Sequence, residues 1–467
     1  MQASSPSRRF RSIIVAIAAA ILIYQLILPP VVALADNGDF AKVIRRFGLI
    51  GRVHERPYAD TIYDFHPDQR WVSGFRSSEF QLVIPALALG RVLSKDGTFD
   101  IRYIGVVHIA IFLLALWLFV PLLLNLRRGY RWLLCALALL AFTDVMYAVG
   151  LNSFYMDEPA YLFLLLSTVL YLRLLRWHNQ MDAVLLSISA LLLVGAKTQH
   201  AILGFWIAGL LVLTRNVLLP KGRRLMTFTA VCLCLTAVFM FLKGAGPQYT
   251  VDSTYNVTFF RLLPRSKDVP RTLAELGLDD SYRPYIGKHC FMPGSRMDDP
   301  TFVSAFRERV SMPKIAVYYL HHPAYVYRDV RAALSDAGGH RFFGNIDRSQ
   351  GYPEYFESRA FALWSDFKTY CFEGRGARYL FTFLISGTLL YALAYVRRSR
   401  LPAGTLPAVF VLAGMAFSEL MIASLADPLE IARHHFIFFE LFDLMLLSII
   451  GVLLAGHAPN IEDQRSI

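Results

Sequence analysis

The chain has 467 residues, of which 55% are hydrophobic and 18% are charged, and its formal net charge is +12. That apolar share is too large for a soluble protein to cover with polar surface, so a soluble domain is excluded and the membrane is the solvent. The cations are dispersed among short loops and form no single patch, which argues against a nucleic-acid partner.

Ten stretches of the chain are apolar and almost free of interior charge. A helix needs roughly 20 such residues to cross a bilayer. The stretches run over about 13–34, 104–125, 131–149, 158–175, 182–196, 200–219, 225–243, 379–396, 405–425 and 434–455. They predict an all-α integral membrane protein with about ten transmembrane helices, of which the fifth is short.

Basic residues border every second loop, and this pattern predicts the orientation because short cytoplasmic loops retain Lys and Arg. They are Arg8, Arg9 and Arg11 before the first stretch, then the segments LRRGYR, RLLRWH, PKGRR and VRRSR after later ones. Both termini are therefore expected in the cytoplasm. The Arg-rich inner loops, without a retention signal, fit a multi-pass protein of a bacterial plasma (inner) membrane.

The residues VVALA before Asp36 resemble a small-residue cleavage site after a basic start. A cleaved signal peptide is one interpretation of the first stretch. The apolar run is longer than the roughly 7 to 15 residues of a signal-peptide core, and Pro29 and Pro30 stand where a spanning helix could end. We favour an uncleaved anchor.

Two predicted outer segments, about 35–103 and 244–378, are long enough to hold structure. In the first, DFAKVIRRFGLIGRV and SEFQLVIPALALGRVL have apolar residues at helical spacing, which predicts helices along the outer membrane surface. The second segment is mixed and rich in turns, and it predicts a mostly helical cap. The predicted domains are an N-terminal transmembrane module (1–243), an outer loop domain (244–378) and a C-terminal transmembrane module (379–467).

Cys290 and Cys371 both lie in the second outer segment. An oxidising outer compartment would permit a disulfide between them. The sequence does not show whether their Cα atoms approach closely enough, so paired and free thiols both remain open.

Ionisable residues collect at the predicted outer ends of the helices, whereas the inner ends carry mainly Arg and Lys. They include Asp36 and Asp39 after the first helix, Asp157 and Glu158 before the fourth, Lys197 and His200 before the sixth, and Arg433 and His434 before the last. Such groups are costly at membrane depth unless they face a wet cavity or one another. They therefore predict a polar cavity that opens outward.

Sugar transfer from a lipid-phosphate donor is chemistry that needs such a cavity. An inverting transfer needs a carboxylate to take the acceptor's proton, and Asp39 could supply it, with Asp36 as its closest competitor. Asp157 and Glu158 are further catalytic candidates, although both could simply cap a helix. The departing phosphate needs cations, for which Arg433 is the first candidate. Lys197, His200 and His434 come next, although Lys197 and His200 could be interfacial residues of a tight turn.

These features together resemble the GT-C glycosyltransferases, which use dolichyl- or polyprenyl-linked sugars. Gly38-Asp39-Phe40 is similar to the Gly-Asp-aromatic motif of the dolichyl-phosphate-glucose-dependent glucosyltransferases. The resemblance implies that Asp39 is the base and that a polyprenyl-phosphate-linked sugar is the donor. This chain continues AKVIRRF and lacks that family's Glu-Ala-Gln-Arg continuation, so the resemblance transfers neither sugar nor acceptor.

Two other functions remain open. A polysaccharide polymerase or ligase with a lipid-diphosphate donor would use Arg and His of the second outer segment, such as HHPAYVYRDVR at 321–331. A transporter or flippase for lipid-linked sugars would carry ionisable residues on both sides of the midplane. The expected acceptor is a glycan, lipid or protein. Carboxylates with histidine could hold Mg²⁺ or Mn²⁺, but no spacing specifies a site and we expect no metal.

Overall fold

The computed structural model describes residues 6–52, 58–94, 96–219, 222–337, 346 and 348–455. It confirms a mostly helical, multi-span membrane protein. The described residues between 27 and 101 meet those between 244 and 375 on one side of the helix bundle, where the Arg76 N–H donates to the Gly244 carbonyl at 2.9 Å. We call this the loop-rich side.

The α-helices follow one another along the whole described chain. Up to residue 243 they are α1 (Pro6–Leu26), α2 (Ala41–Ile44), α3 (Glu79–Leu93), α4 (Arg102–Phe119), α5 (Arg128–Phe142), α6 (Val145–Ala148), α7 (Glu158–Trp177), α8 (Gln180–Val194), α9 (Ile202–Leu218) and α10 (Arg223–Lys243). After it they are α11 (Pro247–Tyr255), α12 (Val269–Leu276), α13 (Pro300–Arg309), α14 (Met312–His321), α15 (Pro323–Ala337), α16 (Leu363–Phe372), α17 (Gly376–Val396), α18 (Thr405–Leu425), α19 (Ile431–His434) and α20 (Phe436–Ala455). A π-helix, Asn256–Leu262, continues α11.

Eight helices in the described part of the chain are long and apolar enough to cross a membrane. They are α1, α4 with its extension to Leu123, α7, α9 from Thr198 onward, α10, α17, α18 and α20. The pair α5 and Val145–Asn152 makes a ninth if its 49° bend lies within one span. Helix α8 has 15 residues, fewer than a bilayer requires. By length and composition the described chain thus has eight or nine candidate spans, where about ten were predicted, and α8 is a shorter apolar helix.

The first helix ends at Leu26, well before the predicted end near residue 34. Pro29 and Pro30 cannot continue a helical hydrogen-bond ladder, so the chain leaves the helix there. The amide of Asn152 donates to the carbonyls of Leu26 (2.8 Å) and Val32 (2.9 Å) and so satisfies the backbone at this exit. This exit brings Asp36 and Asp39 beside the chain segment that precedes α7.

A small antiparallel sheet corrects the prediction of an all-α fold. Its strands are β1 (Leu49–Gly51), β2 (Ile62–Phe65) and β3 (Phe99–Asp100) in the order β1-β2-β3, with Leu49 opposite Phe65 and Ile62 opposite Asp100. The helix predicted over DFAKVIRRFGLIGRV stops at Gly48, whose φ of +75° ends a helix readily. The second helix predicted in this segment forms as α3.

Two hydrophobic cores organise the described residues. The larger one runs through the membrane helices and includes Val330 and Leu334 of α15. The smaller one joins residues between Val251 and Tyr319 on the loop-rich side. Cys290 belongs to the smaller core and Cys371 packs against the larger one, and both are free thiols. Of the two possibilities that the sequence left open, this structure has the free thiols.

Helix α16 is fixed to the membrane core by one carboxylate oxygen of Asp443 in α20. This oxygen accepts from Lys368 Nζ (2.9 Å), Trp364 Nε1 (2.9 Å) and the Tyr147 hydroxyl (2.7 Å). Lys368→Met removes the cation and leaves a buried carboxylate, so we expect a loss of about 3 kcal/mol in unfolding free energy. Thermal unfolding in detergent would show a lower midpoint. Arg359→Met, at the exposed ion pair with Asp366, should leave it unchanged.

Candidate functional site

The segment after α1 forms a tight turn that separates the roles of its two aspartates. One carboxylate oxygen of Asp36 accepts the backbone N–H groups of Gly38 (2.7 Å) and Phe40 (3.0 Å). Gly38 has a φ of +101°, which favours glycine, and the Phe40 ring is buried against Phe154. Asp36 therefore holds the turn, and the turn presents Asp39 to the rest of the site.

Asp39 lies between two cations. Its Oδ2 accepts from Arg433 Nη1 at 2.5 Å and its Oδ1 from Lys42 Nζ. The ammonium of Lys42 also lies 4.6 Å from the ring centroid of Phe75 and 5.1 Å from that of Tyr249. Burial raises the pKa of Asp39, but Arg433 and Lys42 outweigh it and hold that pKa well below its usual range. Asp39 is a carboxylate at neutral pH.

Arg433 connects segments that are 394 positions apart in the chain. Besides Asp39 it pairs with Glu430, from Nη2 to Oε2 at 2.6 Å, and its guanidinium lies 5.0 Å from the ring centroid of Tyr155. The Glu430 carboxylate also accepts from the Asn37 side chain. Burial lowers the pKa of Arg433, but Asp39, Glu430 and Asp157 raise it further, so the guanidinium stays charged.

A second ionic cluster surrounds Asp157, the residue that precedes α7. Lys197 Nζ donates to both of its oxygens (2.8 and 3.1 Å), and His200 Nε2 lies 3.2 Å from Oδ1. The other ring nitrogen of His200 is 3.0 Å from Oε1 of Glu419. Burial raises the pKa of Asp157, but Lys197 and His200 outweigh it and keep the group ionised. Asp157 is the N-cap residue of α7, but its side chain makes no capping hydrogen bond and faces cations instead.

Gln199 joins the second cluster to the first. Its Nε2 donates to Glu419 (3.1 Å) and to the backbone carbonyl of His434 (2.7 Å), and its Oε1 lies 3.0 Å from His434 Nδ1. Burial, Lys197 and Arg433 hold the pKa of His434 well below its usual range, so its ring is neutral. His434 was predicted to bind phosphate as a cation. A neutral ring could contact phosphate only through a hydrogen bond.

An enclosed cavity of about 40 Å³ borders both clusters, enough space for roughly three water molecules. Its polar wall carries Asp157, Glu158, Arg433 and Tyr155. The remaining wall is largely apolar and consists of Leu34, Met146, Val149, Gly150, Ala432, Phe436 and Phe439. The wall of the cavity therefore combines ionisable side chains with apolar ones.

The structure brings all eight predicted site residues to one region of the loop-rich side, and it adds three that the sequence analysis missed. Lys42 pairs with Asp39, Glu430 pairs with Arg433, and Gln199 connects Glu419 to His434. The spacing of three between Asp39 and Lys42 was a usable signal, although such pairs are common on solvated helices. The position of Gln199 between the two predicted site residues Lys197 and His200 was a second usable signal.

Two carboxylates of the site, those of Asp39 and Asp157, face cations. Asp39 faces Arg433 and Lys42, and Asp157 faces Lys197. Within the described ranges, no group of three or more His, Cys, Asp or Glu side chains is arranged to hold a metal ion. The charge balance of the site is therefore provided by basic side chains of the protein itself.

The sequence as a whole matches one family model, described as the YfdI N-terminal transmembrane domain, over residues 3–465. No curated protein shows significant similarity to the chain. The match includes every residue of the two ionic clusters and every residue that lines the cavity. A paired-cation site at the loop-rich end of a multi-span helix bundle thus lies within a chain that belongs to the YfdI N-terminal transmembrane domain family.

Proposed function

We propose that the protein is a membrane glycosyltransferase of the GT-C type. It moves a sugar from a polyprenyl-phosphate donor to an acceptor, with inversion and with Asp39 as general base. The observation that carries this proposal is the pairing of Asp39 with Arg433, which lines a cavity whose wall has both ionisable and apolar side chains. A base and a phosphate-binding cation are thereby placed side by side.

The cavity suits the head of an isoprenoid phosphate. Phosphate oxygens are strong acceptors for a guanidinium, and Arg433 reaches the cavity from α19. The apolar wall, with Met146 and Phe436, would contact the first part of the hydrocarbon chain. The described cavity is smaller than a sugar, so the sugar would extend out of it toward Asp39 and the acceptor.

Donor binding would also make Asp39 a better base. With both Arg433 and Lys42 bound, the carboxylate is ionised but weakly basic, because its pKa is held low. A phosphate that competes for Arg433 draws one of these cations away from Asp39. The pKa of Asp39 then rises, and the carboxylate becomes basic enough to take the acceptor's proton. The base would therefore be activated only when the donor is in place.

In this proposal the site lies on the outer face of a bacterial plasma membrane, and the alternation of basic loops supports that orientation. The ligase alternative gains less support, because the basic residues of the segment 321–331 do not line the cavity that Arg433 reaches. Arg328 Nε donates to Asp329 at 2.9 Å, and His322 Nε2 lies 2.7 Å from Glu275. These residues take part in contacts of the smaller core.

Membranes that contain the overproduced protein and the cell's own acceptors provide the test. They would be incubated with polyprenyl-phosphate-linked hexoses, each labelled in the sugar. We expect one donor to be consumed, with label in an acceptor and polyprenyl phosphate released in equal amount. Movement of intact labelled lipid-linked sugar across the bilayer that survives Asp39→Asn, with no label in an acceptor, would contradict the proposal and favour a flippase.

A further inference from the structure

Glu158 is a buried acid in the polar wall of the cavity. Its side chain is 2% exposed, and Oε2 has no hydrogen-bond partner among the residues that the structure describes. The carboxyl lies against the backbone of Gly150, where an added Cβ would come within 1.8 Å of Oε1. The absence of a side chain at Gly150 thus makes room for this carboxyl at the cavity wall.

The surroundings of Glu158 do not favour a negative charge. The cation Lys197 is bound by the neighbouring Asp157, and Arg433 in the same cavity wall faces Asp39 and Glu430. The charge on Asp157 adds repulsion. An ionised carboxylate in such a place would cost several kcal/mol. Glu158 therefore keeps its proton and is a neutral hydrogen-bonding group with one unused oxygen.

Resting on the proposed function, we propose that the carboxylic acid of Glu158 donates a hydrogen bond to the phosphate of the donor lipid while Arg433 binds the same phosphate. Both residues line one cavity. The unused, buried oxygen of Glu158 then acquires the partner that the described residues do not provide. Glu158 is in this way assigned to the leaving group, whereas Asp39 serves the acceptor.

The reaction can be written with Glu158 unchanged at its end. The acceptor oxygen forms a bond to C1 of the sugar, and its proton passes to Asp39. The bond between C1 and the phosphate oxygen breaks, and its electron pair stays on the phosphate. Glu158 keeps its proton but shares it in a hydrogen bond that strengthens as negative charge develops on the phosphate. A neutral donor aids this step without a second buried charge.

Glu158→Gln separates this role from that of a catalytic carboxylate. Glutamine is neutral and similar in size, and its amide can donate the same hydrogen bond. We expect Glu158→Gln to retain transfer within roughly threefold of the unchanged protein, and Glu158→Ala to lose about 100-fold, the scale of one donor to a developing oxyanion. Activity of Glu158→Gln as low as that of Glu158→Ala would overturn the assignment, and so would full activity of Glu158→Ala.

Glu440→Gln is the matched control. Glu440 is fully buried and neither of its oxygens has a hydrogen-bond partner within the described ranges, yet it does not line the cavity. Its neutral replacement should leave transfer unchanged. Thermal unfolding of every variant in detergent would establish that each is folded, and the Gln variant carries the test if the Ala variant is not.

A second measurement does not depend on transfer. Difference infrared spectra on addition of polyprenyl phosphate, without sugar, should show a shifted C=O band of a protonated carboxylic acid. That band should be absent in Glu158→Gln and present in Glu440→Gln. A spectrum with no such band would overturn the inference. If the protein without substitutions transfers no sugar, the proposed function fails. If that protein transfers sugar but the Glu158 variants do not behave as expected, only the inference about Glu158 fails.

Discussion

Asp39→Asn is expected to reduce sugar transfer by about 100-fold or more, the usual contribution of a positioned general base. Asparagine has nearly the same volume, and its amide oxygen can still accept from Arg433, so the turn and the ion-pair partner Glu430 remain. The amide cannot take the acceptor's proton. Initial rates at saturating donor would measure the loss, and the dissociation constant of polyprenyl phosphate should change much less.

Asp36→Asn is the matched control for this prediction. Asparagine can accept the same N–H groups of Gly38 and Phe40 that Asp36 accepts, because Asn and Asp are nearly equal as caps. We expect transfer by this variant to stay within roughly threefold of the unchanged protein. The opposite pattern, with Asp39→Asn active and Asp36→Asn inactive, would move the role of base to Asp36.

The region of the site could be predicted from the sequence because ionisable residues near apolar segments are costly unless they meet. Asp39, Asp157, Lys197 and Arg433 come from four separate segments, and each lies where a predicted helix ends. Because removing these charged groups from water is costly, the sequence predicted that they share one polar region. The pattern did not specify which acid would face which cation. Those pairings depend on the packing of α9, α18 and α19.

Local backbone geometry accounts for much of what the sequence did not show. Asp36 was the closest competitor of Asp39 for the role of base, and the tight turn with a positive φ at Gly38 brings Asp36 onto the backbone and leaves Asp39 to the cations. The three-stranded sheet was missed for a similar reason. Its strands span two to four residues each, too few for an alternating pattern to be distinct from a broken helix.

Arg433→Lys is expected to lower kcat/KM for the donor by about 100-fold, despite retaining the positive charge. The guanidinium holds Asp39 through Nη1 and Glu430 through Nη2, two directions that a single ammonium on a different stem cannot reproduce together. The loss should appear largely as weaker donor binding, measured by titration with polyprenyl phosphate. Arg52→Lys, in the exposed pair with Asp64, should leave both quantities unchanged.

The pH profile of the Arg433 variant distinguishes a broken ion pair from general damage. Arg433 lowers the pKa of Asp39, so weakening that contact raises this pKa toward the ordinary value of an aspartate, about 3.9. A base must be deprotonated to act, and activity is lost as pH falls through its pKa. The acid limb of kcat/KM should therefore move to higher pH in Arg433→Lys and stay in place in Arg52→Lys. An acid limb at the same pH in both variants would mean that Arg433 does not control Asp39 and that its pairing with the base is not part of the chemistry.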